Sequence, residues 1–164
     1  MEYPRIDYAV ARVYPKTIDR INIARAANLA ALRAYRKLIT RYETPGTRYQ
    51  VYLDGGLYLG NGRGKASKRT LQNGKVSQQK SAPLERLRAS TLIRGDEKIK
   101  AIKIASIVAK VSRDRYMTRL TRKYPWYGFH IHKGYGTKLH RQAIKRHGPS
   151  TVHRLTFIKR YHRI

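Results

Sequence analysis

The chain has no cysteine, only nine acidic residues, two phenylalanines and one tryptophan, and no uninterrupted apolar run of membrane-spanning length. Without cysteine there is no disulfide framework, no thiolate metal site and no thiol nucleophile, a composition compatible with a reducing cytosol. Without a long apolar run or a charged-then-apolar leader, the expectation is a soluble, untargeted, cytoplasmic protein with no membrane span. The shortage of acid is the larger signal. Lys and Arg number 37 against nine Asp and Glu, a formal net charge of +28 over 164 residues. Self-repulsion on that scale opposes a compact state unless a polyanion offsets it. Tyrosine is plentiful, with 13 copies interleaved among the cations, and its ring can stack on bases or sugars. Nucleic acid is therefore the expected partner. Composition leaves open an enzyme, a ribosomal-type RNA-binding protein, or a polybasic surface that meets anionic lipid.

The length suits one domain with one core. Residues 6–13 alternate and are rich in branched and aromatic side chains, which predicts a short strand. Pro15 suits the first helical turn. Ile18, Ile21, Leu29, Leu32 and Tyr35 then recur at helical spacing, predicting a helix over 17–42 that Thr44-Pro45-Gly46 ends. Residues 48–53 read as a second strand. A basic excursion containing several glycines occupies 57–88, with a hairpin signal at Asn73-Gly74. Residues 90–93 predict another strand. A long helix over 98–124 carries Ile99, Ile102, Ser106, Ala109 and Met117 along one broad face and stops at Pro125. Residues 127–135 read as a loop, 137–146 as a last helix ended by Gly148-Pro149, and 153–164 as a basic tail.

Two carboxylates stand out. Asp54 ends the strand-like run Tyr49-Gln50-Val51-Tyr52-Leu53 and precedes Gly55-Gly56; Asp96 follows the next strand after Gly95. Hard-oxygen ligands on a rigid strand end suit Mg²⁺ or Mn²⁺. If the two strands are neighbours, both groups emerge at one edge and can share metal that clamps the oxygens of a phosphodiester displacement. The plainer alternatives are an Asp-Gly turn at Asp54 and an N-cap at Asp96. Ser106, Lys110 and Arg113 share a helix face and suit phosphate contact or support of a metal site, whereas Arg113-Asp114-Arg115 also fits an ordinary solvated face. The segment His132-Lys133-Gly134-Tyr135-Gly136-Thr137 puts an imidazole, an ammonium and a phenol in a loop. A loop histidine is more often solvated or structural than catalytic. A tyrosine between two glycines has little local packing to hold it, and its ring could stack near a 2′-OH. Gly62-Arg63-Gly64-Lys65 lacks the spacing of a phosphate loop and reads as a basic turn.

Taken together and in order, several segments resemble ribonuclease HII. They are Leu53-Asp54-Gly55, Ile93-Arg94-Gly95-Asp96-Glu97-Lys98, Ala105-Ser106-Ile107-Val108-Ala109-Lys110-Val111 with Arg113-Asp114-Arg115, Tyr124-Pro125 with Tyr127-Gly128-Phe129, His132-Lys133-Gly134-Tyr135-Gly136-Thr137, and His153-Arg154-Leu155-Thr156-Phe157. Ile18-Asp19-Arg20-Ile21-Asn22-Ile23 resembles the helix after that family's third strand. The resemblance implies an α/β, ribonuclease H-like mixed sheet with flanking helices and a C-terminal helical region. It implies a monomeric endonuclease that cleaves the RNA strand of RNA–DNA hybrids, and ribonucleotides embedded in DNA, with Mg²⁺ or Mn²⁺ held by four carboxylates. By the same resemblance Asp54 and Asp96 are the third and fourth carboxylates, catalytic and metal-binding. Tyr135 matches the tyrosine that stacks at the RNA–DNA junction, and Ser106, Lys110, Arg113 and Lys133 are expected to face nucleic acid.

One departure accompanies the match. The family's opening Asp-Glu-Ala-Gly-Arg-Gly strand, which supplies the first two carboxylates, has no counterpart in the sequence; Gly62-Arg63-Gly64 follows Asp54 and lacks the Asp-Glu pair. The expectation is therefore an N-terminally truncated member, with the first two strands missing and 6–13 left without a neighbour. The organisation expected is 1–135 as an incomplete catalytic domain, with the excursion at 57–88, and 136–164 as a C-terminal helix and basic tail of the same domain. The rival readings are a catalytically inactive hybrid-binding protein and a ribosomal-type RNA-binding protein.

Overall fold

The computed structural model describes residues 6–42, 49–59 and 87–159. They fall in two compact units, one within Met1–Ala11 and Ala24–Ala105, the other within Arg12–Ile23 and Ser106–Ile164. The fold is mixed α/β, the class expected from the sequence. None of the described helices is long and apolar enough to cross a membrane.

In the first unit, β1 (Tyr49–Asp54) pairs in parallel with β2 (Leu87–Leu92), with Tyr49 opposite Leu87 and Asp54 opposite Leu92. Strand alternation turns Leu53 inward and leaves Tyr52 exposed. Leu53 joins Leu32 and Leu59 in a small core, with Ala31, Tyr35, Val51 and Leu57 packed around it. Leu32 and Tyr35 lie on α2 (Ile23–Ile39), whose arginines and Lys37 remain exposed. The helical spacing in the sequence thus identified the face that covers the strand. Asn28 Oδ1 accepts a hydrogen bond from Tyr58 N–H at 2.8 Å and fastens the chain that leaves β1.

The strand expected over 6–13 is absent. A strand needs a neighbouring backbone to complete its ladder, and none of the described strands pairs with this segment. Instead, the Tyr8 and Val10 carbonyls accept from Arg41 Nη1 and Lys37 Nζ. The helix expected over 17–42 is two helices, α1 (Pro15–Ile21) and α2, parted at Asn22 with φ +67°. Pro15 opens α1 as expected. The stop at Thr44-Pro45-Gly46, the Asn73-Gly74 hairpin, the Gly62-Arg63-Gly64 turn and most of the basic excursion lie outside the described residues, as does the end of the tail.

The expected helix over 98–124 is likewise divided. A short α3 (Gly95–Lys98) precedes α4 (Lys100–Lys123), with Ile99 extended between them. Pro125 ends α4 and opens a 3-10 turn, Pro125–Tyr127. The supposed loop over 127–135 contains α5 (Phe129–His132), so half of it is ordered as helix. Then follow α6 (Lys138–His147), capped by the Thr137 hydroxyl accepting from His140 N–H, and α7 (Leu155–Ile158).

Tyr127, Phe129 and Ile144 form the second unit's core, with Met117, Leu120, Tyr124, Ala143, Val152 and Ile158 around them. Asp19 of α1 reaches the start of α7, accepting from Leu155 N–H at 2.8 Å, Thr156 N–H at 3.1 Å and the Thr156 hydroxyl at 2.5 Å. Helix α7 has no cap from its own N-cap residue, Arg154, so a carboxylate distant in sequence satisfies its orphan donors. Burial alone would push the Asp19 carboxyl up. The bonds from Thr156 and Leu155, with the Arg154 charge, outweigh that and hold it below its ordinary value.

Candidate functional site

Asp54 closes β1 at the C-terminal edge of the strand pair. Gly55 N–H donates to Leu92 C=O at 3.0 Å, carrying the pairing one residue past the carboxylate. Beyond β2 the chain turns through Arg94 in the left-handed region, φ +56°, and starts α3. Gly95 N–H then donates to Asp54 Oδ1 at 2.9 Å. A side chain at Gly95 would meet Ile102 Cδ1 at 2.7 Å and Asp54 Oδ1 at 3.3 Å, so any larger residue would displace the Ile102 side chain and crowd Asp54. Asp96 follows directly in the first turn of α3. It is not that helix's N-cap, which is Arg94; the cap alternative for Asp96 is thus replaced by a first-turn position.

Asp54 thus ends β1, and Asp96 follows the neighbouring strand β2 by four residues, next to Gly95, which is hydrogen-bonded to Asp54. Among the described residues neither forms an ion pair, although the chain holds 37 Lys and Arg. Asp96 makes no described hydrogen bond, and Asp54 has one oxygen engaged. Both are partly exposed. This donor set fits a hard divalent cation, because Mg²⁺ is commonly held by one or two carboxylates together with waters and substrate phosphates. No group of three or more potential metal-ligating side chains occurs among the described residues.

The remaining expected site residues lie in the second unit. Ser106, Lys110 and Arg113 are exposed on α4. Lys110 Nζ pairs with Asp114 at 3.3 Å, and Arg113 approaches the same carboxylate at 3.6 Å. The two cations are exposed, whereas Asp114 is partly buried, with Oδ1 covered and without a hydrogen-bond partner. Arg113 also places its guanidinium 4.7 Å from the centre of the Tyr135 ring, a cation–π arrangement. Tyr135 is 57% exposed. Lys133 is less free than a loop lysine, since its ammonium donates to Thr118 Oγ1 at 2.8 Å and His130 C=O at 2.6 Å. Gly134 has φ +78°, and a Cβ there would meet Met117 Cε at 2.8 Å, which explains the glycine before Tyr135.

Sequence reasoning missed the cluster beneath this segment. His132, His140 and His153 are all buried. The His132 and His140 rings stack with centres 4.3 Å apart, and His140 Nε2 lies 3.1 Å from His153 Nε2. Burial pushes all three below the ordinary imidazole value, His153 to about 4, with the neighbouring His140 adding to its depression. The available signal was that all six histidines lie within 130–162, without a period to reveal which of them face inward.

A stability prediction follows from His153. Its folded value lies below the unfolded one, so its contribution is complete above about pH 6.5 and is lost as pH falls toward about 4. Denaturant titrations should show stability falling across that window, with a shallower fall in His153→Asn. An identical pH dependence in parent and variant would contradict this.

Comparison with known proteins agrees with the resemblance seen in the sequence. Residues 66–162 match the family model described as Ribonuclease HII. A ribonuclease HII of Endomicrobium trichonymphae is 40% identical over 152 residues, which is 93% of this chain and 59% of that protein. Those of Desulforamulus reducens and Bacteroides thetaiotaomicron are 34% and 36% identical, covering 93% and 96% of this chain and 62% and 64% of theirs. The chain thus spans about three fifths of the length of the curated relatives it matches. With more than half of its residues under the family model, the chain belongs to the ribonuclease HII family.

Proposed function

We propose that this chain carries part of a divalent-metal-dependent endoribonuclease. The proposed reaction is hydrolysis of the RNA strand in RNA–DNA hybrids and of ribonucleotides embedded in DNA, by a monomer in the cytoplasm. The observation that carries the reading is the pair Asp54 and Asp96. In a chain of net charge +28, Asp54 ends β1 and Asp96 follows its neighbour β2, both partly exposed and with no ion pair among the described residues.

Asp54 and Asp96 would hold Mg²⁺ or Mn²⁺. The ion, when bound, supplies charge neutralisation at the attacking and leaving oxygens of the phosphodiester. Gly95 N–H orients Asp54 by engaging Oδ1, and Oδ2, with no described hydrogen bond, would be available to a metal. Ser106, Lys110 and Arg113 bind backbone phosphates, with Lys110 and Arg113 exchanging Asp114 for phosphate oxygens. Lys133 supports the Tyr135 segment through Thr118 and His130 and adds positive charge for phosphate. Tyr135 stacks on a sugar or base at the RNA–DNA junction, backed by Arg113.

A second reading has one observation in its favour. It is a hybrid-binding protein without cleavage activity, and the observation is the net charge of +28, which suits a polyanion whether or not it is cut. Both readings require recognition of the junction. Competition binding of a junction-containing duplex against an all-DNA duplex tests this. Tyr135→Ala should reduce the preference about tenfold, within the ~1–3 kcal/mol of a base-stacking contact, and change all-DNA affinity less. Equal loss on both duplexes would contradict a reading role for Tyr135.

A further inference from the structure

We propose that His140, braced by His153 and assisted by His132, is a positioning residue that fixes the Tyr135 main chain for nucleic-acid recognition. The inference rests on the reading of Tyr135 given above and adds the device that aims it.

The hydrogen bonds determine the tautomers. Gly134 N–H points at His132 Nδ1 at 3.1 Å, so that nitrogen is an acceptor and His132 Nε2–H donates to Tyr127 C=O at 2.6 Å. Ser150 N–H points at His153 Nδ1 at 3.0 Å, and the Ser150 hydroxyl lies 2.8 Å from the same nitrogen. His153 therefore carries its proton on Nε2 and donates it to His140 Nε2 at 3.1 Å. His140 then carries its proton on Nδ1, where it meets Tyr135 C=O at 2.9 Å. Every ring nitrogen has at least one partner, and the three neutral rings form a satisfied buried network.

The network ends on both sides of the phenol. Tyr135 N–H donates to His132 C=O at 2.8 Å, and Tyr135 C=O accepts from His140 and from Thr137 N–H at 2.8 Å. Gly134, just before, is held by His132 Nδ1. The Tyr135 ring, 57% exposed and flanked by glycines, buries too little of itself to set its own direction. Its backbone is held from below instead, while Arg113 holds the ring. Such support of a recognition group by packed neighbours reduces the ordering that binding must otherwise impose.

Two substitutions separate positioning from bulk stability. In His140→Asn the amide nitrogen stands near the old Nδ1 and can still donate to Tyr135 C=O, while the link to His153 is lost. In His140→Gln the amide stands near Nε2, so the His153 link survives and the Tyr135 bond is lost. With Tyr135→Ala as reference, we expect His140→Gln to lower the junction preference about fivefold, the worth of one net hydrogen bond, and His140→Asn to stay within about twofold of the parent. Equal preference in the two His140 variants, with Tyr135→Ala still impaired, would overturn the positioning role alone. An unaltered preference in Tyr135→Ala would overturn the reading of Tyr135 and this inference with it. If neither His140 variant folds, imidazole ¹⁵N spectra of the unmutated chain decide: the Nδ1–H tautomer at His140 supports the proposal, and the Nε2–H tautomer overturns it.

Discussion

Raising salt from about 50 mM to about 200 mM should weaken binding of this chain to an RNA–DNA hybrid by about a thousandfold or more, the loss expected for roughly six or more phosphate contacts. The basis is the uncompensated charge. Nine acids face 37 cations, and the ion pairs among the described residues are Arg94–Glu97, Lys110–Asp114 and Arg113–Asp114. One acid in the second unit, Asp19, is already committed to capping α7. Exposed cations on α4 and α6, among them Lys103, Arg119, Lys138 and Lys145, remain to displace counterions from phosphates. The measurement is fluorescence anisotropy across a salt series, read as the slope of log affinity against log salt. A shallow slope, equivalent to about one or two phosphates, would mean that this charge does not face nucleic acid.

The second large effect concerns cleavage. The chain can be joined to a family N-terminal segment carrying Asp-Glu-Ala-Gly-Arg-Gly, so that four carboxylates are available. Asp54→Asn should then lower metal-dependent cleavage about a thousandfold, because Lewis-acid stabilisation of this kind is worth several kcal/mol at the transition state. Hybrid affinity should change by less than about twofold, since removing one negative charge does not weaken attraction for a polyanion. The asparagine oxygen can still accept from Gly95 N–H, so the local fold should persist. Single-turnover rates with Mg²⁺ and with Mn²⁺, alongside direct binding, separate the two quantities. A rate reduction matched by an equal loss of affinity would instead mark Asp54 as a binding residue.

Much of this arrangement was legible in the sequence because it rests on local signals. Tyr49–Asp54 alternates and ends on Asp-Gly, and it forms β1 with Leu53 inward. Pro15 starts a helix and Pro125 ends one. The expectation that Asp54 and Asp96 follow neighbouring strands needs β1 and β2 to pair, and they do, with Asp54 opposite Leu92. What escaped were features set by tertiary contact. Residues 6–13 have a strand's alternation, but no described strand pairs with them. The breaks at Asn22 and Ile99 carry no proline, and helical spacing continues across them. Asp19 was legible as part of a family-like helix, yet its role depends on α7, more than a hundred residues later. The histidines are polar residues used as core, and their bonds to Gly134 and Ser150 N–H, to the Tyr127 and Tyr135 carbonyls and to each other make that burial tolerable.

The most direct test of the central claim, that Asp54 and Asp96 form one cation-holding edge, is a Mn²⁺ titration of the hybrid-bound chain followed by electron paramagnetic resonance. Bound Mn²⁺ should be present in the parent chain, strongly reduced by either Asp54→Asn or Asp96→Asn, and unchanged by Asp7→Asn. Equal Mn²⁺ uptake by the parent, Asp54→Asn and Asp96→Asn would contradict the account.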